Sequence, residues 1–412
     1  MSDRLSHRSL LPETPGLHLS PPTARLPARL KPLIRAQDRF KTGCLTVELP
    51  KGLRLTLRGT DPGPMAQLHL HNRRFFRRVL MGGHLAFAES YIDGDWDSPD
   101  LAALISYFAQ NEAALSIDGH WWSRALSRVV HRFRRNSKRG SRRNIAFHYD
   151  LGNNFYREWL DPSMTYSSAV YATGTETLEQ AQAEKYARMA DKIALKPGDR
   201  VLEIGCGWGG FAELAARRGA FVTALTLSKE QKAYAEARLA AAGLADRVEV
   251  RLQDYRDVTG TFDGIVSIEM IEAVGEAYWP AYFDTLHRVL KPGGRAAIQA
   301  ITLEPARFES YRRSPDFIQR YIFPGGMLPT IERLQQESAR AGLAWGTLET
   351  YGRDYARTLK LWGEKFEAAW ERIAPLGFDE RFRRTWRYYL AYCEGGFDAG
   401  SIDVVQIGLQ RV

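Results

Sequence analysis

Four glycines fall within six residues at Gly205, Gly207, Gly209 and Gly210, straight after the apolar run Val201-Leu-Glu-Ile. Glycines so placed let a ligand lie against bare backbone where a strand turns into the next helix. By themselves they also suit tight strand-to-helix packing, because many folds carry such a pattern. Three features separate the stretch from a dinucleotide fingerprint. Glu203 precedes the glycines, the segment "LTLSKEQ" offers no acid to hold a ribose, and Asp254 with Tyr255 follows a third apolar run. Standing alone, Asp254 reads equally well as a loop cap.

The elements that must position these residues can be placed by period. Apolar runs "RVLEIGC", "AFVTALTL", "RVEVRLQ", "FDGIVSIEM" and "GRAAIQAI" alternate with helical stretches such as "GGFAELAARRG" and "SKEQKAYAEARLAAAG". This alternation predicts an α/β fold with a parallel sheet covered on both faces. Two further strands, "LAWGTLETYG" and "DVVQIGLQRV", complete seven. Upstream, "LTVELPKGLRLTLRG" alternates as strands do, while "NRRFFRRVLMGGHLAFAESYIDGDW" and "LAALISYFAQNEAAL" carry a helical period. A small α+β domain over 31–120 follows, preceded by a loose Pro-, Ser- and Arg-rich tail over 1–30 without a secretory apolar core.

The net charge of +9 is concentrated. From Gly119 to Tyr149 there is no acid, while Arg124, Arg128, Arg132, Arg134, Arg135, Lys138, Arg139, Arg142 and Arg143 accumulate, with Trp121, Trp122 and Phe133 among them. The segment 121–144 separates the two domains. It reads as a solvated connector, a nucleic-acid patch or a surface for anionic headgroups. Cys44, Cys206 and Cys393 are odd in number and far apart, which argues for a reducing compartment. No run approaches a membrane span, so a cytoplasmic protein is expected. The nine histidines show no ligand spacing and no metal is called for.

A more specific signal is the ordered set "IAFHYDLGNNFYREWLDPSMTYSSAVY" (145–171), "VLEIGCGWGG", "LTLSKEQ", "FPGGMLP" and "DYARTLKLW". Together they resemble the cyclopropane-fatty-acyl-phospholipid synthase family, with its mycolic acid relatives. The likeness runs from about Asn144 to the C-terminus, and "ESYIDGDW" extends it into the N-terminal domain. It implies a class I methyltransferase domain over 145–412 using S-adenosylmethionine (SAM). Tyr149, Tyr166 and Ser167 would lie over the methionine moiety, with Glu203 supporting it and Gly205 and Gly207 beneath. Thr226, Leu227 and Gln231 would surround ribose and adenine, and Asp254 and Tyr255 would hold the adenine.

The resemblance further implies methyl transfer to an alkene in a phospholipid acyl chain, followed by proton loss to a bound bicarbonate and ring closure. Such a site must align the reactants and keep water from the carbocation, which aromatic faces stabilise. The bicarbonate ligands of the family map onto Ser168, Glu272, Gln299, Ile301 and Tyr355. Ser168 replaces a cysteine, Ala273 the histidine beside the glutamate, and Gln299 a second histidine. Serine and glutamine donate hydrogen bonds but lack the charge and relay capacity of imidazole. Two products therefore stay open, a cyclopropane ring or a methylene- or methyl-branched chain. Glu272 is expected to anchor the base or to be it.

The stretch 303–330 is too long for an ordinary connection and reads as a lid, with Phe317, Tyr321 and Phe323 as an apolar wall for an acyl channel. Helices in "TLKLWGEKFEAAWERI" and "FRRTWRYYLAYCEGGFDAG" are expected to complete it. The expected partners are an anionic phospholipid surface at the inner face of the membrane and an unsaturated acyl chain, with a homodimer implied by the resemblance. A nucleic-acid-binding methyltransferase is the alternative. The fourth strand ends "SIEMIEAVG", without a base-recognising Asn/Asp-Pro-Pro-Tyr motif, so no nucleic acid is expected.

Overall fold

The structure, a computed structural model, describes residues 14–20, 37–112 and 151–412. Tyr149, the basic segment 121–144 and most of the tail lie outside the described residues. The chain divides into two compact units.

The first unit holds a five-stranded sheet of β1 (Gly16–Ser20), β2 (Thr42–Glu48), β3 (Arg54–Arg58), β4 (Asp61–Leu70) and β5 (Trp96–Asp97), in the order β1-β3-β2-β4-β5. β2 and β3 pair antiparallel, as their alternation predicts. Two corrections concern this unit. Within the tail expected over 1–30, Gly16–Ser20 pairs antiparallel with β3 as an edge strand, and β4, whose opening "DPGP" hid it, pairs parallel with β2.

The second correction is the helix Glu380–Asp398. It was expected to complete the acyl channel, but residues Asp379–Ser401 belong to the first unit. There the helix meets Leu101–Gln110 so closely that a Cβ on Gly395 would stand 2.7 Å from the carbonyl oxygen of Ala102. Arg384 fixes the arrangement by donating to the carbonyl oxygens of Tyr91 and Trp96 and to Asp97. Three partners for one guanidinium explain why so arginine-rich a helix is structural here.

The second unit is built on seven strands: β6 (Arg200–Ile204), β7 (Phe221–Thr226), β8 (Val248–Leu252), β9 (Phe262–Ile268), β10 (Leu290–Leu303), β11 (Leu343–Thr350) and β12 (Ile402–Arg411). Their order is β11-β12-β10-β9-β6-β7-β8, with β12 antiparallel to both neighbours and the pairs from β10 to β8 parallel. All seven expected strands are present. Val201 and Leu202 enter different cores, one on each face of the sheet, which is the period-2 alternation of a strand buried on both sides.

β6 and β9 are central and parallel, so their carboxyl ends open side by side. That crevice is where an open α/β sheet binds ligands. Flanking it, the helix Leu178–Lys192 starts at a capping box in which Thr177 and Gln180 satisfy each other's backbone donors. Its inward face carries Gln182, Lys185 and Met189. The lid stretch holds the helix Pro305–Arg313 and a wide turn over Ile318–Ile322.

Candidate active site

At the end of β9 the chain turns through Glu269, whose φ of 49° is in the left-handed region. A non-glycine residue held there carries a backbone cost of about 1–3 kcal/mol, which the surroundings must offset. They do so through the carboxylate. Oε1 accepts from the backbone N–H of Ser168 at 2.7 Å and from Nε2 of Gln299 at 2.7 Å, and Oε2 accepts from the hydroxyl of Tyr355 at 3.0 Å. Gln299 is oriented in turn by Gln406 of β12, whose Nε2 donates to its Oε1 at 2.9 Å.

Three of the expected catalytic positions thus converge on Glu269, a residue that the sequence reading missed. Ser168 contributes its backbone N–H, while its hydroxyl donates to the carbonyl of Ala169. Ile301 donates its N–H to Oε1 of Glu272 at 2.5 Å. Oε2 of Glu272 is enclosed and has no hydrogen-bond partner among the described residues. The carbonyl of Glu272 accepts from the N–H of Met327, so the lid stretch is tied to the same short helix, Ile271–Val274.

Burial pushes Glu272 up to about 8, with the neighbouring charge of Glu269 adding to the rise. Glu272 is therefore mainly protonated at neutral pH. Burial also raises Glu269, against the pull of Lys185 and of its three donors. As whole residues both are half-buried.

Lys185 was also missed. It is fully buried, and Nζ donates to Oγ of Ser167 at 2.5 Å. Burial depresses its pKa to about 7, and the fields of Glu269, Asp161 and Glu203 oppose that fall. A buried lysine serving three carboxyls sits directly behind Ser167 and one residue from the N–H that holds Glu269.

The glycine turn fits SAM. Gly205 and Gly207 have φ of 84° and 51°, and a Cβ added to Gly207 would meet no atom within 4 Å, so its backbone borders open space. Oε2 of Glu203, two residues before the turn, is buried without a hydrogen-bond partner among the described residues. Tyr166 stands in an aromatic group with ring centroids 5.4 Å from Tyr156, 5.5 Å from Trp159 and 5.3 Å from Trp362. Such a group suits a sulfonium or a carbocation. Thr226 and Gln231 are bonded to each other at 2.8 Å at the end of β7, beside half-buried Leu227. Asp254 caps the turn Tyr255–Asp257 and pairs through both oxygens with Arg256, and Tyr255 meets Tyr282 edge-on at 5.6 Å.

Bicarbonate does not fit. Ser168, Gln299 and Tyr355, which the resemblance assigns to it, are bonded to Glu269, and the N–H of Ile301 is bonded to Glu272. An added anion would face two carboxyl groups without a free donor from that set. The donors that the resemblance assigns to the anion are taken by the carboxyl groups of Glu269 and Glu272.

Phe317 is buried and its ring lies 5.3 Å from that of Tyr321, while Tyr321 and Phe323 are half-buried. Among the described residues no cluster of His, Cys, Asp or Glu could hold a metal ion, and no helix is long and apolar enough to cross a membrane. All three cysteines are free.

The profile of the mycolic acid cyclopropane synthetase family matches residues 136–407. The tuberculostearic acid methyltransferase UfaA1 of Mycobacterium tuberculosis is 42% identical over 81% of each chain. The cyclopropane-fatty-acyl-phospholipid synthase of Escherichia coli is 36% identical over 87% of this chain and 90% of its own. Among solved structures, the mycolic acid cyclopropane synthase CmaA1 complexed with SAH and CTAB matches with a TM-score of 0.62 and 30% identity, covering 66% of this chain and 98% of that one. With a ligand-ready glycine turn under an aromatic group, and this family match over most of its length, the chain belongs to the mycolic acid cyclopropane synthetase family and is a SAM-dependent methyltransferase.

Proposed function

We propose that the protein methylates the double bond of an unsaturated acyl chain in a membrane phospholipid, with Glu269 as the base, and that it forms a methylene branch instead of a ring. The observation that carries this reading is the carboxylate of Glu269, held by three donors beside an aromatic group. Bound SAM supplies an electrophilic methyl group. The alkene π electrons would form the new C–C bond as the methyl's bond to sulfur breaks and S-adenosylhomocysteine leaves, with a carbocation on the neighbouring carbon. The aromatic pair Tyr166 and Trp362, with ring centroids 5.3 Å apart, would shield that cation from water.

Two outcomes then share one proton acceptor. If the new methyl loses a proton to Glu269 while the cation is on the neighbouring carbon, the freed electron pair closes a cyclopropane. If a hydride first shifts to that carbon, the cation moves to the methylated carbon, and loss of a methyl proton leaves a methylene branch on the chain. Similarity to a tuberculostearic acid methyltransferase, whose product is methyl-branched, favours the second course. The retained Glu272, Ile301 and Tyr355 and the 36% identity to a cyclopropane synthase favour the first, which stands as the second reading. A nucleic-acid substrate has no supporting feature at the end of β9. The reading requires a place at the inner face of the membrane.

Methyl-labelled SAM incubated with vesicles of monounsaturated phospholipid tests it. Label in the acyl chains with vinylidene proton signals supports the branch. Cyclopropyl signals overturn the branch but keep the lipid. Unlabelled acyl chains, with SAM demonstrably bound, overturn the lipid reading.

A further inference from the structure

The first unit carries a surface that neither the glycine turn nor the base uses. In the helix Arg74–Ile92, preceded by its cap Arg73, the exposed positions Arg73, Arg77, Leu80 and Met81 follow the spacing i, i+4, i+7, i+8 and so form one stripe. Leu80 is 62% and Met81 75% exposed, the largest exposures of apolar side chains in this helix. The helical path breaks just beyond them at Gly83 (φ 58°, ψ −141°), which leaves the pair near the end of a turn.

The charges on the helix divide into two kinds. Arg74 and Arg78 are bound to Asp95 and Asp93 and belong to the fold. Arg73 and Arg77 have no carboxylate partner among the described residues. Two uncompensated guanidinium groups one turn apart, followed by two large apolar side chains, match the layering of a bilayer surface. Guanidinium groups fit the anionic headgroups, and Leu and Met fit the acyl boundary below.

We propose that the stripe Arg73–Arg77–Leu80–Met81 is a docking surface for an anionic phospholipid bilayer, with Leu80 and Met81 inserted. The inference goes beyond the reading of the active site, although a membrane-resident substrate gives it a purpose. Charge complementarity selects the occupant. A second copy of a chain with net charge +9 would set like charges against these arginines, whereas an anionic bilayer neutralises them.

The test is flotation of the full chain with vesicles of phosphatidylglycerol and phosphatidylcholine. The variants are Leu80→Asp/Met81→Asp and Arg73→Gln/Arg77→Gln, each also assayed for methyl transfer to detergent-dispersed phospholipid. Both variants should lower vesicle partitioning about tenfold and keep transfer in detergent, and only the apolar variant should keep the salt sensitivity of the parent. Unchanged partitioning in either variant overturns the proposal. So does a change in sedimentation with unchanged flotation, which would assign the stripe to a second copy. If the parent floats and the variants do not, docking stands even when no acyl label is found, so the two readings fail separately.

Discussion

The hydroxyl of Tyr355 lies 3.0 Å from Oε2 of Glu269, joining a helix near the C-terminal end to the turn after β9. With Ser168 and Gln299 on the other oxygen, this bond aims the carboxylate and leaves its freedom small. A base so held needs no diffusible anion. Glu269→Gln should lower kcat by at least about a thousandfold, the upper part of the range for general base catalysis, with SAM affinity changed little. Bicarbonate should not stimulate the parent, while Glu269→Ala, which empties the position, should regain measurable activity with added bicarbonate or formate. Stimulation of the parent by bicarbonate would remove Glu269 from the role of base.

Glu272 gives a pH signature in stability. Its pKa rises from 4.5 to about 8 on folding, so the folded state holds a proton that the unfolded state has lost between those values. Its contribution is therefore fully present below about 4.5 and lost as pH climbs through 8. Relative to Glu272→Gln, the parent should lose stability over that window, by at most about 5 kcal/mol and by less where solvent screens the group. Denaturant midpoints at pH 5 and pH 8.5 measure it. A gap between parent and variant that stays constant would show that Glu272 is ionised throughout.

Gln406 acts through Gln299. It accounts for the Oε1 of Gln299, which makes Nε2 the end that faces Glu269. Gln406→Leu leaves that oxygen without its donor and removes the penalty for an amide flip, at a stability cost of about 1–3 kcal/mol. The flipped oxygen would face the Glu269 carboxylate, so kcat should fall about tenfold while KM stays near the parent value. Gln406→Glu, which carries no donor when ionised, should behave like the leucine variant. Full activity in both would show that the orientation of Gln299 is set elsewhere.

How far the sequence reveals such a site depends on the scale of the signal. Seven strands were legible because burial on both faces leaves long apolar runs, and Val201 and Leu202 show the alternation directly. Ser168, Gln299, Ile301 and Tyr355 were singled out by motif position; three of them donate to Glu269 and Ile301 donates to Glu272. Glu269 was not, because Glu272 three residues on matched the motif and an acid at a strand end reads as a cap. Only its positive φ and its three donors distinguish it. Lys185 was hidden by its surroundings, since "AEKYARMADK" reads as a solvated helix and a buried lysine has no local signature. The placement of Glu380–Asp398 was misread because amphipathic period says that a helix has a buried face, not which core receives it.

Lys185 and Glu269 set the last expectation. The ammonium is the leading charge that opposes the rise in the pKa of Glu269, and its bond to Ser167 fixes the strand of chain that supplies the N–H of Ser168. Lys185→Met keeps the length of the side chain and its burial but removes both effects. Glu269 should then hold its proton to higher pH, so the acidic limb of kcat/KM should move up by about one unit or more. Merely structural damage would lower the whole profile without moving that limb. Because burial depresses the lysine from 10.5 to about 7, the parent should gain stability as pH rises between those values, a slope that Lys185→Met should lose. A variant with an unshifted acidic limb would show that Lys185 does not govern the ionisation of the base.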